Sequence, residues 1–143
     1  MSSPQSIHRE FAEAWNRRDY EAIRALIHPE YTYTGGDGKQ ITGGPDLSVQ
    51  ISMMYATAFP DARLEVKQIY VQGDTAIAEM IGRGTHKGNF LGHPGTNKPV
   101  EVTICDIIQL RDGKAYRERE YMDAAHMLTQ IGVLAAPNKA AGA

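Results

Sequence analysis

The hydrophobic period of this chain changes near residue 63, and that change decides what it can fold into. Upstream, Ile7, Phe11, Ala14 and Trp15 recur at the spacing of one helical face, which predicts a helix over 5–17. Asn16 to Asp19 interrupt the pattern. Tyr20, Ile23, Leu26 and Ile27 then mark a second, short helix that ends at His28-Pro29, because proline disfavours helical geometry in the residue before it. Tyr31 to Thr34 reads as a short strand closed by a glycine turn at 35–38. Gly43-Gly44-Pro45 introduces a third helix with Leu47, Ile51, Met54, Tyr55 and Ala58 on its face.

Downstream the period is two. Leu64, Val66, Gln68 and Tyr70 alternate with Glu65, Lys67 and Ile69, and the chain turns at Gly73-Asp74. Strands follow over 75–83, 100–110 and 114–122, the last two joined by the hairpin signal Asp112-Gly113. Asp123 stands where a helix N-cap is wanted, Gly132 supplies the stop, and 135–143 reads as a frayed tail. Parallel strands need long crossovers and these connections are hairpins, so the expectation is an α+β domain spanning 1–143. It is a curved antiparallel sheet with three N-terminal helices over its concave face, enclosing a pocket.

Several functions are excluded at this level. A net charge of −2 offers no basic surplus for phosphates, so no nucleic-acid partner is expected. Cys105 is the one cysteine, which rules out an internal disulfide and a multi-thiolate metal site. No apolar run approaches the ~20 residues of a membrane helix, and no apolar signal core is present, which gives the expectation of a cytoplasmic protein without a membrane partner. Gly84, Gly88, Gly92 and Gly95 do not lie between a strand and a helix, and His86 and His93 match no metal spacing. Neither a cofactor nor a metal is therefore expected.

The chemistry lies in the last two strands. Val102, Ile104, Ile108 and Leu110 share one face with Asp106 in their midst, and a carboxylate so placed is costly unless paired or neutral. Tyr116, Glu118, Glu120 and Met122 form one face of the next strand; symmetric pairing about the hairpin turn brings residue 119 or 120 beside Asp106, and the parity of the apolar row selects Glu120. Two such carboxylates push their titrations apart, so that one can accept a proton while the other holds one. Asp106 and Glu120 are thus the candidate catalytic pair. Trp15, Tyr33, Tyr55, His86 and Glu118 make up the expected pocket wall, though each has a plainer reading. Trp15 and Tyr55, with Met53 and Met54, read as core; His86 reads as a loop residue. Glu118 reads as a surface partner of Arg117 or Arg119.

Ala58-Phe59-Pro60-Asp61, the run Gly84 to Gly92 with Thr96 and Lys98, and Asp112-Gly113-Lys114 occur in one order with Asp123 and Leu128 to Gly132. With Phe11-x-x-x-Trp15, this set resembles the SnoaL-like polyketide cyclases, of the cone-shaped fold shared with nuclear transport factor 2 and ketosteroid isomerase. The resemblance implies a cofactor-free intramolecular aldol condensation of a small apolar carbonyl compound, or a related isomerase or lyase reaction. It marks as acid/base the position seven after the hairpin glycine, here Glu120, and a supporting position seven before it, here Asp106, where cyclases carry Asp and His. A non-catalytic ligand-binding or dimerisation domain and a limonene-type epoxide hydrolase remain alternatives. The latter needs an Asp-Arg-Asp relay, whereas Arg117 and Arg119 read outward. Ile69, Ile77, Ile81 and Ile107 also read outward, and that apolar surface, with the resemblance, gives the expectation of a homodimer or homotetramer.

Overall fold

In the computed structural model, which describes residues 1–135, ten elements follow one another. They are α1 (Ile7–Arg17), α2 (Tyr20–Ala25), β1 (Ile27–Thr34), β2 (Gln40–Thr42), α3 (Gly44–Ala58), β3 (Arg63–Gln72), β4 (Thr75–Thr85), β5 (Pro99–Arg111), β6 (Lys114–Met122) and α4 (Ala124–Gln130). The tail beyond Ala135 lies outside the described residues. The strands form one curved, unclosed sheet in the order β2-β1-β6-β5-β4-β3, so the α+β architecture stands.

Each element has a local cause. Helix α1 buries Ile7, His8, Ala12, Ala14 and Trp15. It stops at Arg18, whose left-handed backbone (φ 57°) returns its N–H to the last carbonyls. Asn16 then fixes the helix to the sheet, since its amide donates to the Leu64 carbonyl (3.0 Å) and accepts from the Leu64 N–H (2.8 Å). Asp19 caps α2 through the Ala22 N–H at 2.9 Å, and Asp123 caps α4 through the His126 N–H at 2.9 Å. Asp112 (φ 54°) and Gly113 (φ 70°) both take the left-handed conformation that a tight hairpin between β5 and β6 requires.

Four local expectations are corrected. Helix α2 ends at Ala25, not at His28-Pro29, which lie in β1. Proline is accepted there because the β1–β6 register shifts between Ile27 and Thr32, leaving no ladder bond for its missing N–H. Strand β1 pairs with β6 in parallel, while all other neighbours are antiparallel, and the turn 35–38 leads to the short added strand β2. In β3 a bulge between Val66 and Gln68 reverses the alternation, so Ile69 packs on the core and Tyr70 turns outward, 52% exposed. On α3 the buried face is Ser48, Val49, Ser52 and Ala58, and Met53 and Met54 are exposed. Small residues suit this helix because it lies against both α2 and β1, and Ser52 returns its hydroxyl to the Ser48 carbonyl at 2.9 Å.

Between the helices and the inner face of the sheet lies a cavity of about 100 Å³. Phe11 and Trp15 of α1, Ser52 and Tyr55 of α3, and Val102 and Ile104 of β5 wall it, and Met127 of α4 adds to the lining. No helix among the described residues is long and apolar enough to cross a membrane.

Candidate active site

Strand parity delivers three acids to one place. In the β5–β6 register Asp106 faces Glu120 and Ile108 faces Glu118, so all three carboxyls point to the helix side of the sheet. Their oxygens lie within 4.8 Å of one another. Asp106 is 1% exposed and Glu118 7% exposed, whereas Glu120 is half-buried and lines the cavity together with Glu118. Asp106 stands behind them.

Each acid has a partner of its own. His8 Nε2 lies 2.9 Å from Asp106 Oδ2, both groups being buried. Tyr31 donates its hydroxyl to Glu118 Oε1. Tyr33, two residues on along β1 and on the same side, donates to Glu120 Oε1 at 2.9 Å. The expectation of Glu118 as a surface partner of Arg117 or Arg119 is thereby corrected. Both arginines project outward and are exposed, so neither can reach an inward carboxyl, and Tyr31 takes their place.

The cluster cannot hold three negative charges in so dry a place. Burial pushes Asp106 up to about 8, partly offset by a hydrogen bond with Glu118, while the nearby Glu120 charge adds to the rise. Burial, the Asp106 charge and that same hydrogen bond hold Glu118 well above the usual carboxylate range. Glu118 is therefore the member that keeps its proton, and Asp106 accepts it. This accounts for Asp106 Oδ1, which is buried and has no donor unless Glu118 supplies one. Burial raises Glu120 to about 7, with whatever charge Glu118 carries adding to the rise, against the opposing hydrogen bond from Tyr33. Burial lowers His8 and so favours its neutral ring, with Nε2 bonded to Asp106 and Nδ1 buried without a partner among the described residues. Burial and the neighbouring carboxylates raise both Tyr31 and Tyr33, which stay protonated donors.

The three acids are also the described residues that can turn an oxygen each toward a cation. A protonated Glu118 and the donors on the other two already compensate their charge, so the set fits proton storage better than a metal.

Of the wall residues expected, Trp15, Tyr33, Tyr55 and Glu118 line the cavity. His86 does not. It is fully buried behind Phe59 (ring centroids 5.6 Å apart), with Nδ1 3.0 Å from Thr96 Oγ1, because its backbone pins the 86–98 loop through Lys98, Thr96 and Asn97. That loop also needs Gly88, where an added Cβ would lie 2.1 Å from the Thr57 carbonyl oxygen. One residue escaped the sequence reading, and so did the partner of Tyr31, which reads with Tyr33 as a hydroxyl at the pocket wall. His8 shares the stripe of Phe11, Ala12 and Trp15, and a histidine on an apolar stripe is the signal that marks it. Tyr31 shares the face of Tyr33, but its partner lies on a strand brought alongside in parallel, which no local pattern shows.

Comparison with known proteins gives this chain a family and relatives over most of its length. A family model described as SnoaL-like polyketide cyclase matches residues 5–131. The aklanonic acid methyl ester cyclase AcmA of Streptomyces galilaeus is 26% identical over 92% of this chain and 92% of its own. The nogalonic acid methyl ester cyclase of Streptomyces nogalater is 28% identical over 83% of this chain and 90% of its own. The crystal structure of AclR from Streptomyces galilaeus, a candidate hydroxylase, superposes with a TM-score of 0.84 at 25% identity, covering 96% of this chain and 86% of that one. Solved neighbours share the ketosteroid isomerase-like fold.

Proposed function

This chain belongs to the SnoaL-like polyketide cyclase family, and we propose that it closes a ring of a polyketide-like carbonyl compound by intramolecular aldol condensation, with Glu120 as the proton-transfer group. The observation that carries this reading is the acid cluster in a largely apolar cavity: Glu120 and Glu118 on the wall, Asp106 behind them, and Glu120 poised near 7. Relatives named as cyclases of aklanonic acid methyl ester and of nogalonic acid methyl ester support the substrate class.

The chemistry follows from the placement. Glu120, as carboxylate, removes a proton from a carbon flanked by carbonyls, and Tyr33 holds it in position. The carbanion attacks a ketone carbonyl of the same molecule, one C–C bond forms, and the alkoxide takes back the proton from Glu120. Nothing is oxidised or reduced, so carboxyl groups suffice for the step. The apolar walls fold the substrate so that its two ends meet, which supplies the orientational advantage. Asp106 acts through the others. It anchors the Glu118 proton and, with His8, fixes the charge behind the base.

An exposed carboxyl pair would have favoured a scaffold; here Asp106 is buried and Glu120 is half-buried on the cavity wall. An epoxide hydrolase relay would need an arginine between acids, and here the partners are His8, Tyr31 and Tyr33. The test is turnover of aklanonic acid methyl ester, the compound named for a relative, to its ring-closed product. Glu120→Gln should lower it by about 10²–10⁴-fold. Unchanged turnover would remove the reading.

A further inference from the structure

We propose that Tyr55 stabilises the enolate formed when Glu120 takes the carbon-bound proton, by donating its hydroxyl to the carbonyl oxygen next to that carbon. The inference rests on the aldol reading of the cavity and adds a second catalytic residue to it. Three tyrosines line the cavity, Tyr31, Tyr33 and Tyr55. Tyr31 spends its hydroxyl on Glu118 and Tyr33 spends its own on Glu120. Tyr55 has no oxygen to bond among the described residues. Its partner there is the thioether of Met122 at 4.0 Å, a weak acceptor. A tyrosine with its ring packed inside usually satisfies its hydroxyl, so a half-buried one left with sulfur alone is open to a ligand.

The hydroxyl also stands at a fitting distance from the base. Glu120 and Met122 share one face of β6, which sets Met122 about 7 Å along the strand from Glu120. A base that removes a carbon-bound proton sits about 3 Å from the carbon, and the adjoining carbonyl oxygen, two bonds further, lies ~5 Å from the base. A donor beside Met122 reaches that oxygen across one hydrogen bond. The ring is held for the task, since Tyr55 lies on α3 and packs on Phe90 with centroids 5.9 Å apart. Burial and the Glu120 charge push its hydroxyl up to about 12, so it donates without losing its proton. In the step the C–H bond breaks, Glu120 takes the proton, and the electron pair moves onto the carbonyl oxygen facing Tyr55. That hydrogen bond strengthens as the charge develops, so it favours the transition state over the bound ketone.

Tyr55→Phe keeps the ring and removes the donor, and its melting temperature should match wild type because the hydroxyl holds only a sulfur. In deuterium oxide near pH 7, wild type should exchange the acidic C–H of aklanonic acid methyl ester into the solvent. Tyr55→Phe should slow that exchange by about 10²–10³-fold, the usual cost of one such donor. KM should stay within about threefold, since the lost bond matters chiefly in the transition state. The acidic limb of the pH–rate profile should not move, because Glu120 takes its hydrogen bond from Tyr33. A loss confined to KM, or a limb that moves with the substitution, would overturn the inference and leave Tyr55 a packing or positioning residue. If wild type exchanges the ester and Tyr55→Phe does so equally fast, the role of Tyr55 falls and the aldol reading stands. If wild type exchanges no C–H of the ester, both fall together.

Discussion

Tyr33 donates its hydroxyl to Glu120 at 2.9 Å across a parallel pair of strands, β1 and β6. One step along, Tyr31 makes the equivalent bond to Glu118. Two tyrosines on one strand thus address two glutamates on its neighbour, and burial makes the paired acids differ. Glu118 lies deeper, against Asp106, and retains its proton; Glu120 borders the cavity and titrates near neutrality.

Removing the Tyr33 hydroxyl takes away the one bond that favours the charged form of Glu120. Tyr33→Phe should therefore raise the titration of Glu120 above about 7 and carry the acidic limb of the pH–rate profile with it. A limb that stays in place or moves down would show that the hydroxyl does not act on this carboxyl.

Glu118→Gln preserves a donor for Asp106 and an acceptor for Tyr31, and so imitates the protonated acid. The variant should fold and keep turnover within about tenfold of wild type, since no acid/base step passes through it. Its Glu120 should titrate where it does in wild type, because a Glu118 that keeps its proton has no charge to lose. Activity against pH checks both points.

Stability should fall as pH rises. Glu120 binds its proton more tightly in the folded chain, at about 7, than at the ordinary value of 4.5, and Asp106 and Glu118 are raised in the same direction. The folded state therefore holds protons that the unfolded chain gives up. That contribution is complete below about 4.5 and is lost as pH climbs through 7 to 8. The melting temperature should drop by roughly 5 °C between pH 5 and pH 8, and Glu118→Gln should flatten part of the slope.

Assembly is proposed through the outer face of the sheet. Ile77, Ile81 and Ile107 are half-buried there and Tyr121 is 49% exposed, a surface that no helix covers among the described residues. Light scattering should return a mass at least twice 15.8 kDa, and Ile107→Lys should reduce it to the monomer. A monomeric wild type would end this part of the account.

Much of the site was legible because two local rules agree on it. The period of two put Asp106 inside an apolar row, and the Asp112-Gly113 turn set the register that places Glu120 opposite. What could not be read comes from distance or irregularity. Tyr31 meets Glu118 only because β1 lies parallel to β6, a pairing 87 residues apart in sequence. His8 reaches Asp106 across 98 residues. The bulge in β3 that turns Ile69 inward has no glycine or proline to announce it, and on α3 close approach favoured serines over Met53 and Met54. The acids themselves were found by pattern; their proton ownership needed the partners.

The central claim is that Glu120 removes a carbon-bound proton, and solvent exchange reads that step without waiting for a ring to close. In deuterium oxide near pH 7, wild type should exchange the acidic C–H of a β-keto ester substrate into the solvent, followed by proton NMR. Glu120→Gln, with its melting temperature within a few degrees of wild type, should slow that exchange by about 10²–10⁴-fold. Exchange at the wild-type rate in a folded Glu120→Gln protein would contradict the account.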